Sequence, residues 1–343
     1  MRATVLALCL SLLLAGVASA QDSLNVRFVG NWPFGPSQAV ALDSAQDLAF
    51  VGSGEGVYVL DVSVPDSPVK LSEIRTGSLV LGLCYLNGRL YVADGPAGLR
   101  VISVVDPAHP VEVGCYETPD QAYGVAVVGD YAYVADISAG LRVISVVDPA
   151  HPVEVGYHDT PGSACGVAVS GDYAYIADFA AGLRVIAISD PTEPVEVGYY
   201  DTPGSANGVA VSGDYAYVAD YSAGLRVVLV SVPAHPVEVG YYDTPGFATG
   251  VAVSGGYACI ADYFAGLRVI SVSDPRHPAA VGYYDTPGLA TGVALSGDHA
   301  YVADGNGGLR VISVSDPANP AEVGHHDTPD QAYDMAVSGD YAY

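Results

Sequence analysis

Basic side chains are scarce in this chain of 343 residues: Lys and Arg number 12 against 38 Asp and Glu, a formal net charge of −26. A surface of that sign repels nucleic acid and anionic lipid, so partners held through phosphates are excluded. Helical periodicity is missing too. After the first twenty residues, no stretch of useful length places apolar residues at 3.6-residue spacing. The apolar run from Val5 to Leu14 is too short to span a bilayer, and no other segment approaches the required length. Beyond Cys9 the cysteines are four: Cys84, Cys115, Cys165 and Cys259. They show no CxxC or other metal-ligand spacing, and each stands where a neighbouring segment carries Ala, Tyr, Asn or Thr, so they read as isolated small hydrophobes. No G-x-S-x-G, H-E-x-x-H or Walker-type loop occurs, which removes the common hydrolase, zincin and nucleotide-binding signatures.

What is present at the start is an export signal over residues 1–20. Arg2 supplies the positive n-region, Val5 to Leu14 the apolar h-region, and Ala18-Ser19-Ala20 the cleavage site before Gln21. Lipidation at Cys9 is the competing reading, disfavoured because Leu8 occupies a place that needs a small residue. The expected localisation is outside the cytoplasm: extracellular, cell surface or periplasm.

The rest of the chain repeats with a period of 42. Asp94, Asp136, Asp178, Asp220, Asp262 and Asp304 recur at that interval, as does Gly-Leu-Arg ending at Arg100, Arg142, Arg184, Arg226, Arg268 and Arg310. A period of this size marks a repeat architecture. One unit reads GVAVSG, DYAYVAD, GLRVVLVSV and PVEVGYYDTPG. Each run is short, rich in Val, Ile and Tyr, and bounded by Gly, Pro, Asp or Ser, which is strand and turn chemistry. Four antiparallel strands in about 40 residues, repeated, predict an all-β chain built as a β-propeller. The nearly continuous apolar strands suit sheets covered on both faces, as blades are by their neighbours. An open solenoid is the alternative.

Unit starts near Gln38, Leu81, Tyr123, Cys165, Asn207, Thr249, Thr291 and Tyr333 predict seven complete blades and a partial eighth, within one propeller domain over residues 24–343. The run Leu24 to Gly30 resembles a fourth strand and is expected to close the ring by completing the last blade; a seven-bladed ring is the alternative. Because the last unit stops at Tyr343 within its second strand, a truncated reading frame is expected.

The segments LRVISVVDPAHPVEVG, LRVIAISDPTEPVEVG and LRVISVSDPANPAEVG resemble the LVIVD repeat of bacterial and archaeal exported proteins. That resemblance covers roughly Val40 to the C-terminus. It implies a β-propeller at or outside the cell surface, with no common activity attached. The first unit departs most, with Gly52 for the Asp and Val57-Tyr58 for Leu-Arg, and the fifth writes Ser231-Val232-Pro233 where its sisters have Asp-Pro.

Each recurrent Asp and Arg flank one turn. They are expected to form structural ion pairs: Asp94 with Arg100, Asp136 with Arg142, Asp178 with Arg184, Asp220 with Arg226, Asp262 with Arg268, and Asp304 with Arg310. Their joint absence from the first unit supports this, since a lone partner would leave a buried charge. The Asp-Thr-Pro-Gly loops at Asp159, Asp201, Asp243, Asp285 and Asp327, with Glu117 in phase, are expected to cap their own turns through Asp and Thr side chains. No cofactor is expected. Calcium is the alternative, but the loops lack D-x-D-x-D spacing and six to eight converging oxygens. His109, His151, His235 and His277 share one phase of different units, so they are expected to lie apart on solvent-facing loops rather than to bind metal.

Variation between units collects in two loop sets, which up-and-down strands place on one face of the ring. Phe179, Tyr221, Phe247, Tyr263 and Phe264 there predict an aromatic patch, with Asn207 and Asn306 beside it. The function expected is a non-catalytic binding module contacting a protein or glycan through that face. The alternatives are an enzyme using the face or central channel, and a surface scaffold without specific ligand.

Overall fold

The computed structural model describes residues 37–43, 46, 48–61, 69–305, 307, 309–326, 337–338 and 341–342. Among them are seven four-stranded antiparallel sheets, each formed by four consecutive strands, and one two-stranded sheet, Val337–Ser338 with Tyr341–Ala342. We number the sheets as blades 1–7 in chain order. Blade 4 comprises Gly166–Ser170, Tyr173–Ala177, Leu183–Ala187 and Val195–Tyr200. Blades 2 to 7 repeat that form, and blade 1 begins at Ser37. The first strand of each blade from 2 to 7 contacts that of the blade before it, as propeller blades do around a centre. Val337–Ser338 contacts the first strands of both blade 1 and blade 7. The expected closing strand from Leu24 to Gly30 lies outside the described residues. Among the described residues no helix is long and apolar enough to cross a membrane.

The alternation within strands explains how blades stack. In Tyr173–Ala177, Ala174 and Ile176 pack with Tyr133, Leu141 and Val143 of blade 3, while Tyr175 and Ala177 pack with Ala216, Val218 and Val228 of blade 5. Successive residues of a strand point to opposite faces, and here each face is a core. That is why the strands read as continuous apolar runs. Ile176 and Ile186 are wholly buried, each worth roughly 1.5–3 kcal/mol of transfer free energy.

The outer strand is bulged. Val185 pairs with Gly198 and Ile186 with Glu196, leaving Val197 as the extra residue. Such a bulge bends and twists the edge strand. Gly198 then meets the next blade so closely that a Cβ there would lie 2.4 Å or less from backbone, namely 2.2 Å from the carbonyl oxygen of Pro233. The glycine of the recurring VEVG is therefore a contact between blades.

Replacing Ile176 by Ala is expected to lower stability by about 2–5 kcal/mol, read as a fall in the urea midpoint. A change within about 0.5 kcal/mol, the range of ordinary surface substitutions, would contradict a core lying between blades.

Candidate functional site

Each recurrent Asp follows the second strand of its blade, and its side chain is buried completely. Around Asp178, the Thr160 hydroxyl donates to Oδ1 at 2.6 Å and the Gly162 N–H donates to Oδ2 at 2.8 Å. Asp220 receives Thr202 at 2.5 Å and Gly204 at 2.8 Å in the same way. The loop threonines thus do not cap their own turns. They reach the carboxylate of the blade that the loop enters, because buried carboxylate oxygens need donors more than an exposed turn does.

Arg184 lies in the third strand, with Nε 3.8 Å from Asp178 Oδ2. Its Nη2 donates to Asp201 Oδ1 at 2.8 Å, in the loop that leads to blade 5. The guanidinium also covers the Tyr199 ring, 4.6 Å from its centroid. Arg226 repeats this geometry with Asp220 at 3.8 Å and Asp243 at 2.6 Å, and Arg268 with Asp262 at 3.6 Å and Asp285 at 3.0 Å. Arg310 Nε stands 3.6 Å from Asp304, and Arg100 Nε 3.3 Å from Asp94. Arg142 Nη2 bonds to the Ala139 carbonyl and Asp159, both at 2.6 Å, as Arg226 does to the Ala223 carbonyl and Asp243, but it stands farther from its own aspartate and acts on Asp136 through charge alone. Carboxylate, threonine and arginine therefore form a relay running from one blade to the next.

Burial pushes the carboxyls of Asp94, Asp136, Asp178, Asp220, Asp262 and Asp304 above the usual range, against the opposing pull of Thr hydroxyl, backbone N–H and Arg. Desolvation is the larger effect.

Blade 3 carries a local fault. Where Gly162 stands in blade 4, a Cβ would lie 2.1 Å from the carbonyl oxygen of Asp178, yet the corresponding residue before blade 3 is Asp120. The Asp120 N–H still reaches Asp136 Oδ2 at 3.0 Å. Thr118 Oγ1 and Asp136 Oδ1, bonded to each other in the sister geometry, make no well-formed hydrogen bond there, although the hydroxyl stays near enough to pull on the Asp136 carboxyl. Asp120 Oδ2 instead accepts from the N–H and hydroxyl of Ser138.

The aromatic residues assemble on the loops above blades 5 and 6. Tyr221 and Phe247 stack with centroids 4.3 Å apart and planes 6° from parallel. Phe264 meets Phe247 edge-on at 5.4 Å, and Tyr263 lies at 6.2 Å. Phe179 belongs to the preceding blade; where Tyr221 faces Phe247, its register faces Ser205, too small to stack. Asn207 is half-buried beside the first strand of blade 5, its N–H bonded to the Ala219 carbonyl. Asn306 lies outside the described residues.

Phe179, Tyr221 and Tyr263 each have a φ of 47°, and Ile137 one of 40°. This left-handed conformation costs a residue with a Cβ about 1–3 kcal/mol. It is held by paired backbone bonds to the next blade: Tyr221 N–H to the Ala248 carbonyl at 3.0 Å, and Ala248 N–H back at 2.9 Å. Gly95 and Gly305 occupy the same position with φ of 49° and 52°. The fold asks for glycine there, and three consecutive blades present an aromatic ring instead.

Other candidates stay apart. His109, His151 and His277 place Nδ1 3.0, 2.9 and 2.8 Å from Asp106, Asp148 and Asp274 on separate exposed loops. No cluster of three metal-ligating side chains occurs among the described residues. The four cysteines described are free thiols; burial pushes Cys259 up to about 12 and Cys165 to about 11, whereas Cys115 is exposed.

Two measurements check the relay. The six raised carboxyls favour the fold when protonated, and that contribution is lost as pH rises through their folded pKa values. The Asp106, Asp148 and Asp274 carboxyls, held low by their His partners, lose theirs only below the usual carboxylate range. The melting temperature is therefore expected to rise as pH is lowered from neutral towards the usual carboxylate range; a steady fall over that window would contradict it. Asp120→Gly is expected to tighten the Thr118–Asp136 bond and, since the Asp120–Ser138 bonds it removes are exposed, to add up to about 1 kcal/mol of stability, visible as a higher urea midpoint; a loss of stability would refute the fault.

The architecture has many solved counterparts. Sqt1 of Saccharomyces cerevisiae superposes with a TM-score of 0.75 at 8% identity, covering 92% of this chain and 91% of its own. The computationally designed Ika8 protein gives 0.73 at 9% identity, with 93% and 95% covered. The periplasmic gluconolactonase PpgL of Pseudomonas aeruginosa gives 0.70 at 18% identity, with 83% and 97% covered. At such identities the likeness is one of fold. No curated protein matches the sequence. The LVIVD repeat matches residues 88–118, 120–160, 161–202, 203–244, 245–286, 287–328 and 330–343. With its signature strands in register from blade to blade and folded as propeller blades, this chain belongs to the LVIVD-repeat family.

Proposed function

We propose that this protein is an exported, non-catalytic interaction module that engages its partner through the loop face bearing Phe179, Tyr221, Phe247, Tyr263 and Phe264. The observation that carries this reading is the aromatic cluster above blades 5 and 6. Phe264 is 56% exposed and Phe179 40%, on a scaffold whose inner strands are spent on packing between blades and whose exposed outer-strand tyrosines, Tyr157, Tyr199, Tyr241 and Tyr283, are already covered by arginines. Exposed aromatic groups held on rigid loops are what interfaces use as anchors. The segments from Arg2 to Ala20 support export, and the acidic surface fits a partner that is neither nucleic acid nor anionic lipid.

A second reading is enzymatic, and the likeness to a periplasmic gluconolactonase favours it. Fold analogy is its whole support. Incubating the purified protein with glucono-δ-lactone is expected to leave hydrolysis at the buffer rate, and acceleration in proportion to protein concentration would replace the interaction reading. For the interaction reading itself, Phe247→Ala with Phe264→Ala is expected to weaken partner binding by about 2 kcal/mol or more, with the melting temperature nearly unchanged. Retained binding in that variant, with loss after substitutions on the opposite face, would overturn it.

A further inference from the structure

The geometry of the aromatic cluster, taken with the charge around it, points to a protein segment rather than a sugar. We infer that the face above blades 5 and 6 binds an extended polypeptide segment in which apolar side chains alternate with Arg or Lys; this rests on the interaction reading above and names its chemistry. The rings spend much of their flat surface on one another. Tyr221 and Phe247 close a face of each ring by stacking at 4.3 Å, and Phe264 abuts Phe247 at 81°. A sugar needs an open ring face with donors and acceptors around it, whereas this cluster presents edges and clefts between rings. An apolar side chain fills such a cleft, and a guanidinium or ammonium group sits against the remaining ring faces.

The loops that lead into and out of blade 6 carry carboxylates. Asp243 lies four residues before Phe247, and Asp285 four before Leu289, which precedes Ala290, the bridge partner of Tyr263. Both side chains are 65% exposed despite their contacts with Arg226 and Arg268. With a formal charge of −26 behind them, these loops attract a cation and repel an anion. The backbone argues the same way. Holding Tyr221 and Tyr263 in a left-handed conformation that glycine adopts freely in blades 2 and 7 costs stability; Phe179 of blade 4 shares it, and only on blades 5 and 6 do the rings gather into one cluster.

The test uses the whole protein and four fluorescein-labelled probes in polarisation assays: the peptides Arg-Leu-Arg-Leu-Arg-Leu, Glu-Leu-Glu-Leu-Glu-Leu and Arg-Gly-Arg-Gly-Arg-Gly, and cellohexaose. The Arg-Leu peptide is expected to bind best and to weaken about tenfold between 50 and 500 mM salt. The Arg-Gly peptide, equal in charge, is expected to bind at least about tenfold less tightly, because the clefts go unfilled. Phe247→Ala with Phe264→Ala is expected to abolish that difference, and Tyr157→Ala on the outer rim to preserve it. If the Arg-Gly and Arg-Leu peptides bind alike, attraction is charge alone and the inference fails. If cellohexaose or the Glu-Leu peptide binds instead, and loses binding in the double variant, the inference fails while the interaction face stands. If no probe responds to the double variant, both fail.

Discussion

A carboxylate buried between blades is tolerable only when its oxygens are occupied, and the organisation of each blade follows from that constraint. Asp178 takes a hydroxyl from Thr160, an N–H from Gly162 and charge from Arg184. The first two donors lie in the entry loop and the arginine in the third strand. One side chain thereby fixes where the loop enters, how closely it approaches and where the arginine points. The arginine then passes the constraint on by holding Asp201, in the loop of the next blade. Apolar packing between blades supplies the bulk of the cohesion, and this relay sets the blades in register.

Much of the architecture was legible in the sequence because the period exposes it. Strand runs, turns and blade count follow from a 42-residue unit whose apolar pattern has no helical alternative. The joint absence of Asp and Arg from the first unit, with Gly52 and Tyr58 in their places, already tied the two residues together. What sequence reasoning missed was the direction of the contacts. The loop threonine and loop aspartate read as local turn formers, since that is what Asp-Thr-Pro-Gly does in isolation. In the fold the threonine serves a carboxylate eighteen residues ahead, and the aspartate an arginine seventeen residues behind. Their strict recurrence with the Asp–Arg pair was the available signal, and spacing alone could not assign it to one network.

The aromatic face was partly legible. Variation among units marked Tyr221, Phe247, Tyr263 and Phe264, and these four do assemble. That Phe179 stands outside the cluster depends on what faces it across the blade boundary, Ser205 rather than a ring. The left-handed backbone beneath these rings was invisible beforehand. Nothing in a run such as Ala-Asp-Tyr-Ser-Ala-Gly announces a positive φ at tyrosine, since the paired bonds that impose it come from a neighbouring unit.

From blade 3 to blade 6 the relay points forward: each unit offers an arginine to the loop that follows it and a carboxylate to the loop that precedes it. A segment of 42 residues copied into the chain at a blade boundary would bring both halves of the joint with it, and one removed would leave no orphan charge. Growth and contraction by whole units therefore leave every buried aspartate with its donors, whereas an insertion between the entry loop and the aspartate would strand it. The joint thus makes the blade a separable part, one whose number can change more easily than its length.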